Sequence, residues 1–218
     1  AGPDQQVCDL ASIQLTGNEP TNGGTGLWTV LSGGSTISNP ADSNALASNL
    51  SYGNNTFHWE ISSRYGICSG SSDQLTIIRD EAPAPAFAGL DQFLCNSTSS
   101  PLGANTPTVG SGLWTVVTKP VAADPTFIPS AGSPGASVQI LPGNEGIYEF
   151  AWTITNASCV TSDTIRVDFG KPVPASNAGD DDTICGLSAI LDGNDPGIGI
   201  GTWSKAAGPG NVIFLPDS

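Results

Sequence analysis

The chain has very few positive charges. Only six of its 218 residues are Lys or Arg, against 20 Asp or Glu, and its formal net charge is −14. Nucleic-acid binding depends on clustered cations that neutralise phosphates, and attraction to an anionic membrane surface depends on the same groups. The composition therefore predicts no nucleic-acid partner.

Long apolar runs and catalytic motifs are also missing. No segment approaches the roughly 18 apolar residues that a membrane-spanning helix needs, so we expect no membrane insertion. The single histidine, His58, has no nucleophile that can be placed beside it. No phosphate-binding loop, G-x-S-x-G elbow or HExxH motif occurs, and no CxxC pair offers a zinc site. The sequence thus predicts a protein that is not an enzyme.

The dominant feature of the sequence is an internal repeat. Cys8, Cys95 and Cys185 lie 87 and 90 residues apart, each shortly after an Ala-Gly pair. A Gly-x-Trp motif recurs downstream at Trp28, at Trp114 and, more loosely, at Trp203. A fixed period of this length indicates a tandem array, not one globule.

The repeat predicts two complete modules and the first half of a third. We place repeat 1 at 1–82, repeat 2 at 87–170 and the partial repeat 3 at 177–218. Proline-rich linkers at 83–86 and 171–176 separate them. Alternating prolines favour extended backbone, so these linkers are expected to hold the modules apart.

Each complete copy has an early and a late cysteine. The arrangement favours disulfides within each module, Cys8 with Cys68 and Cys95 with Cys159. Cys185 is then an early cysteine whose partner lies outside the chain. Closing a loop of about 60 residues stabilises a module by roughly 4 kcal/mol, and such bridges indicate an oxidising, extracellular compartment. Buried free thiols are the alternative.

The apolar pattern alternates with a period of two. Phe57, Trp59 and Ile61 share one face of a strand, and Tyr148 to Ile154 repeat the pattern in the second copy. Further strands are expected around Ile13 and, in the third copy, around Ile190. About seven short strands per module, broken by Gly and Pro, predict an all-β fold of tandem antiparallel β-sandwiches, immunoglobulin-like or PKD-like, in an extended array.

Tryptophans and acids are the candidate functional side chains. Because they alternate inward, the tryptophans are predicted to pack in the cores, although a sugar-binding platform is the alternative. This core set is Trp28, Trp59, Trp114, Trp152 and Trp203. Acids cluster in sequence near the module boundaries, where carboxylates that converge would bind Ca²⁺ and stiffen the joint. Alternatively, they only solvate loop ends. These acids are Asp4, Asp80, Glu81, Asp91, Asp168 and Asp181.

The order of these motifs resembles a known family. The series AG-x-DQ-x-x-C, L-x-GN-x-P, G-x-W-T-V, aromatic-x-aromatic-x-Trp-x-Ile and C-x-x-S-D-x-x-x-I is similar to the PKD-like or immunoglobulin-like repeats of giant Bacteroidota surface adhesins. Gliding-motility adhesins exported by the type IX secretion system are among these proteins. The resemblance further implies O-glycosylation at Asp-Thr-Ile, here at Thr164 and Thr183.

The combined expectation is a non-enzymatic stalk or spacer at the cell surface. Its partners would be the neighbouring repeats and, through regions beyond this chain, a surface polysaccharide or substratum. Two alternatives remain at this point. One is a carbohydrate-binding or spacer module of a secreted polysaccharide-degrading enzyme. The other is a filament component that self-associates through exposed strand edges.

Overall fold

The structure is a computed structural model that describes residues 1–66, 68–120 and 124–215. Its regular elements there are fourteen β-strands, seven in each of two sandwiches. The described part of the chain contains no helix long and apolar enough to cross a membrane. The prediction of tandem all-β modules with about seven strands each is therefore confirmed.

Module 1 is a sandwich of a four-stranded and a three-stranded sheet. In chain order its strands are β1 (Gln5–Cys8), β2 (Ser12–Gln14), β3 (Thr25–Ser32), β4 (Thr36–Ile37), β5 (Leu46–Ser48), β6 (Gly53–Ser62) and β7 (Ser71–Asp80). The larger sheet has the order β1-β7-β6-β3 and the smaller β2-β5-β4. All pairs are antiparallel except β1 with β7.

Module 2 repeats this topology strand for strand. Its strands are β8 (Gln92–Cys95), β9 (Ser99–Pro101), β10 (Ser111–Thr118), β11 (Thr126–Ile128), β12 (Ser137–Gln139), β13 (Gly146–Asn156) and β14 (Cys159–Gly170). The sheets are ordered β10-β13-β14-β8 and β11-β12-β9, and β8 pairs with β14 in parallel. The parallel first strand is thus a property of the repeat.

A tryptophan pair forms the centre of each core. Trp28 lies opposite Trp59 across β3 and β6, with ring centroids 4.9 Å apart, and Trp114 lies opposite Trp152 at 5.2 Å. A side chain on Gly112 would place its Cβ 2.1 Å from the Trp152 ring. In the Gly-x-Trp motif, the glycine therefore leaves room for the indole of Trp152. The tryptophan two residues later, Trp114, supplies the other ring of the pair.

The two modules have separate cores that are filled differently. In module 1, Asn55 is fully buried, and its amide nitrogen donates to the carbonyls of Ser51 and Gly53. The register places Tyr148 at the same position of module 2, where its ring packs against Phe169. The repeat preserves the backbone and the tryptophans, whereas the rest of the core varies.

The third copy is not folded into a sandwich here. Residues 171–215 contain no strand, including around Ile190, where one is expected from the sequence. Trp203 is 40% exposed, so its expected place in a core is wrong for this chain. The physical reason is that the central strand pair carries most of each core, and the sequence through Ser218 holds no counterpart of β13 and β14.

Candidate functional site: the module junction

The parallel pairing of β1 with β7 determines where the early cysteine lies. Cys8 ends β1 opposite Asp80, the last residue of β7. Asp9 follows in the left-handed region (φ 51°), and its N–H donates to the Asp80 carbonyl at 2.9 Å. We call this end of a module, where the first and last strands both terminate, its C-terminal pole.

The late cysteine lies at the opposite end of its module. Strands β13 and β14 are joined by a tight turn through Ala157 and Ser158, and Cys159 is the first residue of β14, paired with Asn156. Ala157 has a positive φ of 50°, which the tight turn requires. We call this end the hairpin pole; in module 1 it is the connection between β6 and β7, which contains Cys68.

The structure contains one disulfide, and it crosses between the modules. Cys8 at the C-terminal pole of module 1 is bonded to Cys159 at the hairpin pole of module 2, with their Cα atoms 5.0 Å apart. Cys68, Cys95 and Cys185 are free and exposed. The expected pairings Cys8–Cys68 and Cys95–Cys159 are therefore wrong.

Geometry explains why the bridges within a module do not form. Cys8 pairs with the last residue of β7, whereas Cys68 precedes its first residue, so about 30 Å of strand separates them. Cys95 pairs with Gly170 at the end of β14, and Cys159 begins the same strand. A disulfide requires Cα atoms within about 7 Å, and the cross-module pair, at 5.0 Å, satisfies this requirement.

An acid and a serine close the same junction beside the disulfide. Ser158 of module 2 donates to the Asp80 carboxylate of module 1 from its amide at 2.9 Å and from its hydroxyl at 2.5 Å. Gln6 donates to the same oxygen at 2.9 Å. The hydrogen bonds from the Ser158 hydroxyl and amide hold the pKa of Asp80 below its ordinary value.

The linker is attached to module 2 along its length. Asn156 donates to the Glu81 carbonyl at 2.7 Å, and the Thr161 hydroxyl donates to the Ala84 carbonyl at 3.3 Å. Further along, the Ala88 N–H donates to the Asp163 carboxylate at 2.8 Å. The expectation that this linker holds the modules apart is therefore wrong at the first junction. The exact domain boundaries stay a prediction.

One asparagine acts as a clamp on the linker, and sequence reasoning missed its role. The Asn105 side chain accepts from the Phe87 N–H at 2.8 Å and donates to the Pro85 carbonyl at 3.1 Å. Asn194 makes the same pair of bonds with Asn177 and Ala175 in the second linker. The recurrence of Asn in this turn, as Asn18, Asn105 and Asn194, is a sequence signal from which the role could have been predicted.

Four of the six acids considered for calcium have side-chain partners within the protein, Asp80 as described above. Asp4 accepts from the Thr76 N–H at 2.8 Å, and Asp91 accepts from the Arg166 N–H at 2.9 Å, so each caps the parallel strand pair. Asp168 contacts the Arg166 guanidinium at 3.2 Å. Glu81 and Asp181 are exposed. In the described ranges, no three His, Cys, Asp or Glu side chains gather as a metal site. Calcium binding stays a prediction.

The other candidate residues are placed as follows. The four tryptophans of the complete modules are at most 2% exposed, so none offers a ring face to a sugar. Thr164 lies exposed on β14, and Thr183 is exposed in the third copy. Their glycosylation stays a prediction.

The chain matches no family model and no curated protein. Among solved structures, extracellular domains 3–5 of Drosophila OTK align over 77% of this chain and 59% of that fragment, with a TM-score of 0.53 and 9% identity. Immunoglobulin domains 1–4 of Sidekick-1 align over 77% of this chain and 47% of theirs (TM-score 0.45, 13% identity). A PKD domain from the KIAA 1837 protein covers 36% of this chain and is itself covered over 83% (TM-score 0.30, 24% identity).

These comparisons bear on the fold alone. The chain spans 59% of the OTK fragment, and the likeness at that TM-score is one of architecture, a row of immunoglobulin-like β-sandwiches. It agrees with the two sandwiches of this chain and with their tandem arrangement.

Proposed function

We propose that this chain is a stalk segment of a repetitive, extracellular cell-surface adhesin, in which disulfide-jointed modules hold an adhesive region away from the cell. The observation that carries the proposal is the Cys8–Cys159 bridge, which joins two modules across a sequence separation of 151 residues. Such a joint fixes the relation between successive modules, which is what a spacer requires.

The remaining junction contacts support the same function. Three contacts hold the joint: the disulfide, the Asp80–Ser158 hydrogen bonds and the Asn105 clamp on the linker. Disulfides persist in oxidising compartments, which fits an extracellular location. The order of the sequence motifs resembles that in the repeats of giant Bacteroidota adhesins, and we propose the gliding-motility adhesins of that group as relatives.

Joint rigidity is testable on the whole chain. Thr29 and Thr115 occupy equivalent, exposed positions on β3 and β10 of the two modules. We expect dyes attached there through unnatural amino acids to give one narrow distance distribution by single-molecule energy transfer, and dithiothreitol to broaden it. Equally broad distributions with and without the reductant would contradict a fixed joint.

The spacer role needs a separate experiment. The chain is inserted between a surface anchor and a known adhesive domain, and cell attachment is measured under shear flow. We expect attachment comparable to that of a rigid spacer of similar length, and weaker retention with the Cys8→Ser variant. Specific binding of the isolated chain on a glycan array would instead favour the carbohydrate-binding alternative.

A further inference from the structure

Cys95 occupies the same structural position in module 2 as the bonded Cys8 does in module 1. It ends β8 opposite Gly170, the last residue of β14. The next residue, Asn96, has a φ of 56°, and its N–H donates to the Gly170 carbonyl at 3.2 Å. Strand pairing, backbone conformation and hydrogen bond all repeat those of Cys8 and Asp9, so the thiol of Cys95 is presented as the bonded sulfur is.

The surface around Cys95 is open and partly apolar. Cys95 lines a shallow depression together with Phe93, Leu94, Asp168 and Gly170, and Phe93 is 72% exposed. The strand register puts Phe93 where module 1 has Gln6, and Gly170 where it has Asp80. The first junction has polar contacts from Gln6 and Asp80, whereas the equivalent surface of module 2 is apolar. Covering that apolar surface with another module would be favourable.

The second linker makes the same asparagine contacts as the first. Asn194 clamps it through Asn177 and Ala175, as Asn105 clamps the first linker through Phe87 and Pro85. In both linkers the clamp therefore fixes the linker to the repeat that follows it. A complete repeat that docked on module 2 as module 2 docks on module 1 would bring its hairpin pole to Cys95.

The other pole carries the complementary thiol. Cys68 lies in the β6–β7 connection of module 1, the counterpart of the turn before Cys159. It is exposed and lines a second shallow depression with Asn22 and Arg64. The two free thiols of the complete modules thus lie at the two outer poles, one of each kind.

We propose that Cys95 is a docking and cross-linking site for the hairpin pole of a following repeat, whose late cysteine bonds to it as Cys159 bonds to Cys8. The inference concerns a site of this chain and stands independently of the stalk role. In the reaction, the two thiols lose two protons and two electrons to a disulfide oxidant such as oxidised glutathione. One S–S bond forms between the modules, and the oxidant's S–S bond is reduced to two thiols.

The consequence is a chain of overlapping covalent loops. One loop runs from Cys8 to Cys159, and the next begins at Cys95, before the first has closed. Every peptide bond between the outermost bridges is then bypassed by at least one disulfide. A single proteolytic cut would leave such an array in one piece.

The direct test completes the third repeat. Residues 178–218 are replaced by a second copy of residues 88–170, which keeps the natural linker. The protein is refolded in a glutathione buffer, alkylated and mapped by mass spectrometry. We expect a bond between Cys95 and the late cysteine of the added copy, together with the Cys8–Cys159 bond. In the Cys95→Ser control the added late cysteine should be alkylated.

Two outcomes would overturn the proposal. One is that Cys95 is alkylated although the Cys8–Cys159 bond has formed; the other is that the added copy closes its own early and late cysteines. If the Cys8–Cys159 bond does not form in the extended chain, the proposal is tested instead by cross-linking between two chains of natural length. A Cys68→Ser chain and a Cys95→Ser chain are mixed under the same oxidant. A Cys95–Cys68 cross-link between them supports the docking geometry, and alkylation of both thiols rejects it.

Discussion

The cross-module disulfide changes how the chain responds to force applied at its two ends. In the oxidised protein the load passes from Cys8 directly to Cys159, so the intervening chain is bypassed. The separation is 151 residues, and an extended chain spans at most about 3.6 Å per residue. Roughly 540 Å of contour length is therefore hidden while the bond is intact.

Single-molecule force spectroscopy measures this hidden length. We expect the oxidised chain to release only short steps, since within the described residues only β1, up to Cys8, and β14, beyond Cys159, lie outside the loop. With dithiothreitol, or with Cys159→Ser, module-sized steps should appear. For residues 92–170 these are about 280 Å.

The matched control is Cys185→Ser, which removes a free thiol and leaves the bridge in place. It should behave as the natural chain does. Steps of about 280 Å from the oxidised natural chain would refute the reasoning, because they require a module to extend inside the closed loop. In the chain-entropy treatment the same bond raises the free energy of unfolding by about 5 kcal/mol, so denaturant titration should show Cys159→Ser to be less stable than Cys185→Ser by about that amount.

Two further predictions concern the joint and the core. Asp80 has a lowered pKa because Ser158 donates hydrogen bonds to its carboxylate, so its contribution is present above the ordinary value and lost as pH falls through the lowered one. The protection of the Ser158 amide against hydrogen exchange, measured relative to the intrinsic rate at each pH, should therefore fall below about pH 4, and Asp80→Asn should remove that step. In the core, Gly112→Ala places a methyl group against Trp152 and should lower the free energy of unfolding by about 1–3 kcal/mol. The control Gly135→Ala meets nothing within 4 Å and should be close to neutral; equal effects of the two substitutions in thermal melts would contradict the packing argument.

Much of the fold could be predicted from the sequence. The internal repeat and the period-two alternation identify the central strands, because a strand with one buried face places every second residue in the core. Trp59 and Trp152 satisfy that pattern and lie opposite Trp28 and Trp114. Because the same pattern occurs twice in the chain, the strand order of one module predicts that of the other.

The disulfide could not be predicted from the repeat alone. An early and a late cysteine in each copy is a pattern that fits both pairings, within a module and between modules. What decides is the parallel pairing of β1 with β7, which puts Cys8 at the pole far from Cys68. Parallel pairing of a short first strand leaves no mark in a four-residue sequence such as Gln5–Cys8.

The role of the first linker could not be predicted from its composition, for a related reason. Its prolines correctly indicate extended backbone, but composition does not show what the backbone contacts. The partners come from residues far along the chain, including Asn105 and Asn156. An extended linker that is hydrogen-bonded to the next module fixes the joint instead of separating the modules.

The connectivity of the bridge tests the account most directly. Trypsin does not cut before proline, so the natural chain should yield the fragments 1–64, 65–79 and 80–166 around the four cysteines of the complete modules. After alkylation and digestion without reductant, we predict that 1–64 is linked to 80–166 through Cys159, with Cys68 alkylated in 65–79. A link between 1–64 and 65–79 would show that each module closes its own bridge and would contradict the jointed array.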